Sequence, residues 1–280
     1  MERLFKRYKS DDGQKIYRTS FCAYFDILGF AEKVKNENID FFNHYLKVLE
    51  AELDYFNKEH DFDNKEGRKR FELKIFTDNF VIGYPWNHED GEIELGDLFD
   101  VLSHLQLIFA QKGIFIKGAV SHSKLYMDEN IVIGPALIES YKLEESNAIY
   151  PRIILSENAK VIVDQHINYY APDFKIPQKQ TYLIDKDGYY FLNYLYLLIQ
   201  DFDIDNPKYE YVSKQIVLHK QAIENELKTK NHNQRVFEKF IWCAEYHNFF
   251  CDNFLHPTFY KHSELKINKE LYEPKMRKID

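Results

Sequence analysis

The segment Thr19–Gly29 reads TSFCAYFDILG, a short apolar run closed by a glycine and interrupted by a single carboxylate, Asp26. A run of this length predicts a buried strand, which makes an acid inside it conspicuous. The chain has the apolar mass to bury such a strand. Of its 280 residues 45% are apolar and 16% aromatic, with 21 Tyr and 23 Phe, which excludes a disordered chain. Only 10 Gly and 8 Pro punctuate it, so long helices with few tight turns fit better than a many-turned all-β architecture.

The pattern alternates after that strand. Ile39, Phe42, Leu46, Leu49, Leu53 and Phe56 recur at spacings of three and four and predict an amphipathic helix, followed by a charged loop over Glu59–Arg70. Glu72–Thr77 and Phe80–Gly83 read as two strands meeting at Thr77-Asp78-Asn79, residue types that favour turns, so a second carboxylate sits at a hairpin tip. A helix marked by Leu95, Leu98, Leu102, Leu105 and Phe109 stops at Gly113, and a strand over Ile114–Val120 follows. Ile131–Ile133 and Ile153–Leu155 read as short strands, with helices over Gly134–Glu145 and from Ser156. Asp185-Lys186-Asp187-Gly188 joins Tyr182–Ile184 to Tyr189–Phe191 as a hairpin with an Asp-Gly turn. The acidic stretch Asp201–Asp205 before Pro207 is the expected boundary, dividing residues 1–200 from a helical extension over 201–280. This order indicates an α+β sandwich with helices covering one sheet.

The net charge of −8 argues against a general nucleic-acid binder. Cys22, Cys243 and Cys251 form no Cys-x-x-Cys pair, which suits a reducing compartment, and a cytoplasmic protein is expected. Met1–Tyr8 is broken by charges and has no apolar signal region. The most hydrophobic run, Tyr189–Ile199, is about half of what spans a bilayer, so no membrane segment is expected.

Asp26 at the end of a strand and Asp78 at the tip of the next hairpin can meet if their strands are neighbours, giving an oxygen-rich site for Mg²⁺ or Mn²⁺. The Gly29-Phe30-Ala31 turn from strand to helix would offer N–H groups to a phosphate. The alternative is a helix cap at Asp26 and an ordinary turn at Asp78.

A family resemblance bears on that choice. Ala23-Tyr24-Phe25-Asp26-Ile27-Leu28-Gly29-Phe30 resembles the first metal motif of class III nucleotidyl cyclases, and Lys74-Ile75-Phe76-Thr77-Asp78-Asn79 resembles their second metal hairpin. Ile133–Glu144 resembles their later glycine-plus-helix segment, and the whole likeness covers roughly residues 19–195. It implies a ferredoxin-like α/β sandwich working as a head-to-tail homodimer with sites at the interface. It also implies two divalent cations, Mn²⁺ or Mg²⁺, held by Asp26, Asp78 and the Ile27 carbonyl. The departures are specific. The two residues by which adenylyl cyclases read adenine fall on Glu72 and Ile131, the ribose-orienting asparagine on Ile138, and the transition-state arginine on Lys142. Lysine keeps a charge there but loses the bidentate fork.

Lys117-Gly118-Ala119-Val120, Ile133-Gly134-Pro135-Ala136, Tyr150-Pro151-Arg152-Ile153 and Tyr246-His247-Asn248 are similar to the pyrimidine cyclases of bacterial Pycsar anti-phage defence. That resemblance implies conversion of UTP or CTP, UTP favoured, to the 3′,5′-cyclic monophosphate and pyrophosphate, with a separate effector responding to the product. Lys142 or Arg152 would stabilise charge on the α-phosphoryl oxygens, and Lys117 would contact substrate. Tyr24 would stack on a base or pack the core; Glu72 would accept from cytosine or uracil or lie solvated on its strand. Lys186 is expected as an exposed turn lysine, His247 with Cys243 and Cys251 as core, and His256 and His262, flanking Pro257, at the surface. Rival readings are a purine cyclase, a degenerate cyclase fold that senses nucleotide without turnover, and a ferredoxin-like RNA binder, the last disfavoured by the acidic balance.

Overall fold

The computed structural model describes residues 7–10, 12–35, 39–60, 70–170, 176–200, 208–229, 234–256, 259 and 262–272. The expected boundary at 201–207, Pro257 and most of the charged loop after Glu59 lie outside the described residues.

Two compact units divide the chain: Met1–Leu102 with Ile116–Leu192, and Ser103–Phe115 with Asn193–Asp280. The division expected at residue 200 thus falls at 192/193 here, and a segment from the middle of the chain joins the C-terminal unit.

The chain begins with β1 (Arg18–Ile27), α1 (Phe30–Lys35), α2 (Ile39–His60), β2 (Glu72–Phe76), β3 (Asn79–Pro85), α3 (Glu92–Gln111) and β4 (Ile116–Met127), all in the first unit except α3 from Ser103 on. These strands pair antiparallel in the order β2-β3-β1-β4, the βαββαβ arrangement of a ferredoxin-like core. Next come β5 (Val132–Ile133), α4 (Pro135–Asn147), β6 (Ile153–Leu155), α5 (Glu157–Tyr169), α6 (Gln178–Thr181), β7 (Tyr182–Ile184) and β8 (Tyr190–Leu192). β6 runs parallel to β4 and continues the sheet through β8 to β7, while β5 pairs with the end of β4.

Alternation along β1 sorts its side chains onto two faces. On one face Phe25 stacks on Phe80 at 4.9 Å, and Tyr84 lies against Phe71 and donates to Asp97 of α3 at 2.6 Å. On the other face Cys22 and Tyr24 meet α4, through Ser140 Oγ at 3.7 Å from Cys22 Sγ and Tyr141 edge-on to Tyr24 at 5.4 Å. α4 buries Ala136, Ser140 and Glu144, a stripe four residues apart, as a helix on a sheet must. Close approach of β1 and β4 depends on Gly118, where a Cβ would lie 2.4 Å from that of Phe25.

β4 runs seven residues beyond the strand expected to end at Val120. Ser121–Lys124 break the apolar pattern, yet the ladder to Thr19–Cys22 holds them extended. No helix among the described residues is long and apolar enough to cross a membrane.

The second unit is helical, with a 3₁₀ turn at Tyr194–Leu198, α7 (Tyr209–Lys228), α8 (Gln234–Asn253) and α9 (His262–Leu265). His219 and His247, both fully buried, meet Nδ1 to Nδ1 at 2.8 Å. Because His247 Nε2 must donate to the Leu265 carbonyl at 2.8 Å, its Nδ1 accepts from His219, whose Nε2 in turn accepts from Tyr194 at 2.7 Å. Burial pushes both imidazoles below their usual range, His247 to about 4. Asn248 clamps the Ile267 backbone, donating to its carbonyl at 2.9 Å and accepting from its amide at 2.8 Å. Cys243, His247 and Cys251 are buried together on α8, and in the Tyr246-His247-Asn248 motif His247 and Asn248 bond the segment after α8 while Tyr246 donates to Asn193 Oδ1 at 2.9 Å and accepts from the Leu195 amide at 3.0 Å.

Candidate active site

Asp26 lies opposite Asn79 of β3 and opposite Lys117 of β4. Asp78 immediately precedes Asn79, so register alone brings both carboxylates to one end of the sheet. Thr77 makes the hairpin tip possible by taking a left-handed backbone, φ 57°. Tyr45 of α2 donates to the Thr77 carbonyl at 3.0 Å. Thr77 Oγ1 at 2.8 Å and Asn79 Nδ2 at 3.1 Å both donate to Asp78 Oδ1, and Tyr24 donates to Asn79 Oδ1. The Asp78 carboxylate is therefore aimed by a chain of side chains that starts on β1.

Lys117 Nζ stands 3.7 Å from Asp26 Oδ1 and forms an ion pair with Glu144 of α4. Tyr24 senses the assembly: burial first, then the charges of Glu144, Asp26 and Asp78 among others, push its phenol up to about 12. Tyr45 is pushed to about 12 by burial and by Asp78. Two carboxylates, Asp26 and Glu144, therefore share one ammonium at the sheet end.

Of the expected site residues the structure gathers Tyr24, Asp26, Ile27, Gly29, Asp78 and Lys117 at this end. Tyr24 is 7% exposed and hydrogen-bonded, so it positions Asn79 and does not offer a face to a base. Gly29 turns the chain with φ 73° into α1, and Phe30 packs edge-on to Phe41 and Tyr45 at 5.8 and 5.3 Å, tying α1 to α2. Glu72 lies elsewhere. Its partner on β3 is Gly83, at the far end of the hairpin from Asn79, and its carboxylate accepts from Arg7 Nη1 at 3.0 Å. Ile131 and Lys142 are exposed, Ile131 in the loop that Asp128 Oδ1 ties down by its amide at 2.8 Å.

Arg152 needs correction. Its side chain is 0% exposed, ion-paired to both Asp185 and Asp187 and lying 5.4 and 5.7 Å from the Tyr150 and Phe191 rings. The guanidinium locks the β7–β8 turn onto β6 and is not presented to a substrate. Glu144, by contrast, was not among the expected site residues. Its place four residues after Ser140 on the buried stripe of α4 was the available signal.

Among the described residues no group of three or more His, Cys, Asp or Glu side chains is arranged to hold a metal ion. Asp26, Asp78 and the Ile27 carbonyl each offer oxygen, the donor type that suits a hard divalent cation.

No family model matches the chain, and no curated protein sequence matches it. A search of solved structures finds similarity to a class III adenylyl cyclase-like ATP-binding protein from Pseudomonas aeruginosa. That match has 14% identity and a TM-score of 0.37, and covers 52% of this chain and 35% of the other, so it spans about a third of that protein.

Proposed function

We propose that this chain is a nucleotidyl cyclase that converts a pyrimidine nucleoside triphosphate, UTP before CTP, to the 3′,5′-cyclic monophosphate and pyrophosphate. The observation that carries the reading is the register: Asp26 opposite both Asn79 and Lys117, with Asp78 one residue beyond Asn79. Asp26, Asp78 and the Ile27 carbonyl would hold Mn²⁺ or Mg²⁺. When bound, such ions lower the pKa of the ribose 3′-hydroxyl and screen the triphosphate. Tyr24, Asn79 and Thr77 keep the Asp78 carboxylate aimed, and Lys117 sets one positive charge beside Asp26 against an anionic phosphate. Lys142, exposed on α4, would meet charge at the α-phosphoryl group.

Glu72 and Ile131, where purine-reading residues stand in the family, support pyrimidine selection. Glu72 is at the opposite end of the hairpin from Asp78, so one chain cannot bring both to one substrate; a head-to-tail second copy can. Exposed Ile131, Ile133, Ile138 and Tyr141 on β5, α4 and the loop before them are apolar surface that such a copy would cover. The product would act in the cytoplasm on a separate effector in anti-phage defence.

A second reading, a nucleotide sensor without turnover, is favoured by one observation: Arg152 is held by Asp185 and Asp187 and cannot replace the arginine that Lys142 lacks. One assay separates them. The purified protein is incubated with each of the four ribonucleoside triphosphates and Mn²⁺, and products are identified by mass spectrometry. Cyclic UMP as the main product supports the proposal. Saturable nucleotide binding with no cyclic product from any of the four supports the sensor and overturns it.

A further inference from the structure

Lys117 stands opposite Asp26 in the β1–β4 ladder, and directly opposed side chains of an antiparallel pair have Cβ atoms about 4.5–5.5 Å apart. Left to the two strands, a lysine so placed would close onto the aspartate as a hydrogen-bonded ion pair. It does not. Lys117 Nζ is 3.7 Å from Asp26 Oδ1, beyond hydrogen-bond length, and donates instead to Glu144 Oε1 on α4.

α4 is pinned where it holds Glu144. Ser121 Oγ of β4 donates to the Ala136 carbonyl at 2.6 Å, and Ser140 Oγ meets Cys22 Sγ of β1 at 3.7 Å, so the stripe that ends in Glu144 is tied to both strands. The Glu144 side chain is 5% exposed against 26% for Asp26, which makes its attraction for the ammonium the less screened of the two. A carboxylate buried to that degree is costly without its cation, and this commits Lys117 to α4 whatever occupies Asp26.

The consequence falls on Asp26. An ammonium bonded to a carboxylate takes the lone pairs that a hard cation would use, and its charge repels that cation. After burial, Glu144 and then Asp26 push the Tyr24 phenol up, so both acids act on the same end of the sheet.

We infer that Glu144 is a positioning residue for the divalent-cation site: it holds the Lys117 ammonium off Asp26 and thereby keeps the Asp26 oxygens open to Mn²⁺ or Mg²⁺. The inference rests on the reading of Asp26 and Asp78 as metal-binding residues. Glu144 acts through Lys117 and touches no cation itself, so its effect must disappear when the lysine is gone.

The probe is Mn²⁺ alone, titrated into the full chain without nucleotide and followed by the electron paramagnetic resonance signal of the free ion. Wild type, Asp26→Ala, Glu144→Gln, Lys117→Gln and the Lys117→Gln/Glu144→Gln double variant are compared, with a thermal midpoint for each to show that it is folded. The wild type should bind saturably and Asp26→Ala should not. Glu144→Gln should weaken binding about tenfold, because the released ammonium pairs with Asp26. Lys117→Gln should bind at least as tightly as the wild type, and the double variant, which strands neither charge, should match Lys117→Gln. Wild-type affinity in folded Glu144→Gln would overturn the inference and leave the metal reading standing. Weaker binding by the double variant than by Lys117→Gln would also overturn it, since Glu144 would then attract the cation by its own charge. Wild-type protein that binds no Mn²⁺, or binds it equally with Asp26→Ala, would overturn the metal reading and the inference with it.

Discussion

Two ionic clusters stand on neighbouring strands of the same sheet. On β4, Lys117 is 17% exposed and shared between Asp26, 26% exposed, and Glu144, with Asp78 close by at the hairpin tip. Next to it, at the start of β6, Arg152 is 0% exposed and shared between Asp185 and Asp187. Both are one cation among several carboxylates, and by motif both invite a catalytic reading. Burial separates them. A guanidinium sealed under aromatic rings, with each Nη group on a carboxylate, has its charge met by the protein, and its removal would strand carboxylates. An ammonium at a half-open strand end, outnumbered by acids, leaves negative charge for an added cation to neutralise. The first cluster therefore has unfinished electrostatics and the second is finished.

The largest effect should come from the acids of the open cluster. Asp26→Ala and Asp78→Ala should each lower cyclic-nucleotide formation by roughly 10³-fold while the thermal midpoint stays near that of the wild type. A folded Asp26→Ala protein with full activity would break the comparison, because the open cluster would then be no site.

Arg152→Leu should do the reverse. Loss of the guanidinium leaves Asp185 and Asp187 facing an apolar side chain, and urea denaturation should register a destabilisation of about 3 kcal/mol. Activity per folded molecule should hold. If instead the variant keeps its stability and loses turnover, the buried cluster is the catalytic one.

Lys117→Gln tests the shared cation more gently. The pair is partly solvated, so stability should change by less than about 1 kcal/mol, whereas turnover should fall about tenfold if its charge faces a phosphate. Equal activity at low ionic strength would reduce Lys117 to a strap between β4 and α4.

How far the sequence could carry this distinction depends on range. The apolar run of β1 and the Thr77-Asp78-Asn79 turn are local signals, and they predict the strand, the hairpin and the positions of both acids. The strand order that brings Asp26 beside Asn79 is not local, and the family resemblance supplied it as an expectation. Arg152 shows what motif reading lacks: its partners lie 33 and 35 residues on, in a turn whose Asp-Gly chemistry predicts only the hairpin. Ser121–Lys124 hide the length of β4 because their polar side chains mask extended pairing that the ladder to β1 imposes. The Lys117–Glu144 pair joins residues 27 apart through α4, and only the buried stripe of that helix hints at it.

The smallest effect concerns how Asp78 is held. Thr77 is the non-glycine residue with positive φ among the described residues, and a β-branched side chain there is strained by about 1–2 kcal/mol. Strain of this kind persists where surroundings impose it, here the Tyr45 bond to its carbonyl and the Oγ1 bond to Asp78. Thr77→Gly relieves the backbone but loses a donor and adds chain entropy to the unfolded state, so stability should move by less than about 1 kcal/mol in either direction. Turnover should nonetheless fall about threefold, because the Asp78 carboxylate would keep only the Asn79 donor. Thr77→Asn, which tolerates the left-handed backbone and retains an N–H donor, should restore turnover while gaining stability. If Thr77→Gly were as active as the wild type, Asp78 would be aimed from β1 alone, through Tyr24 and Asn79, and the strain at the tip would serve the turn and not the chemistry.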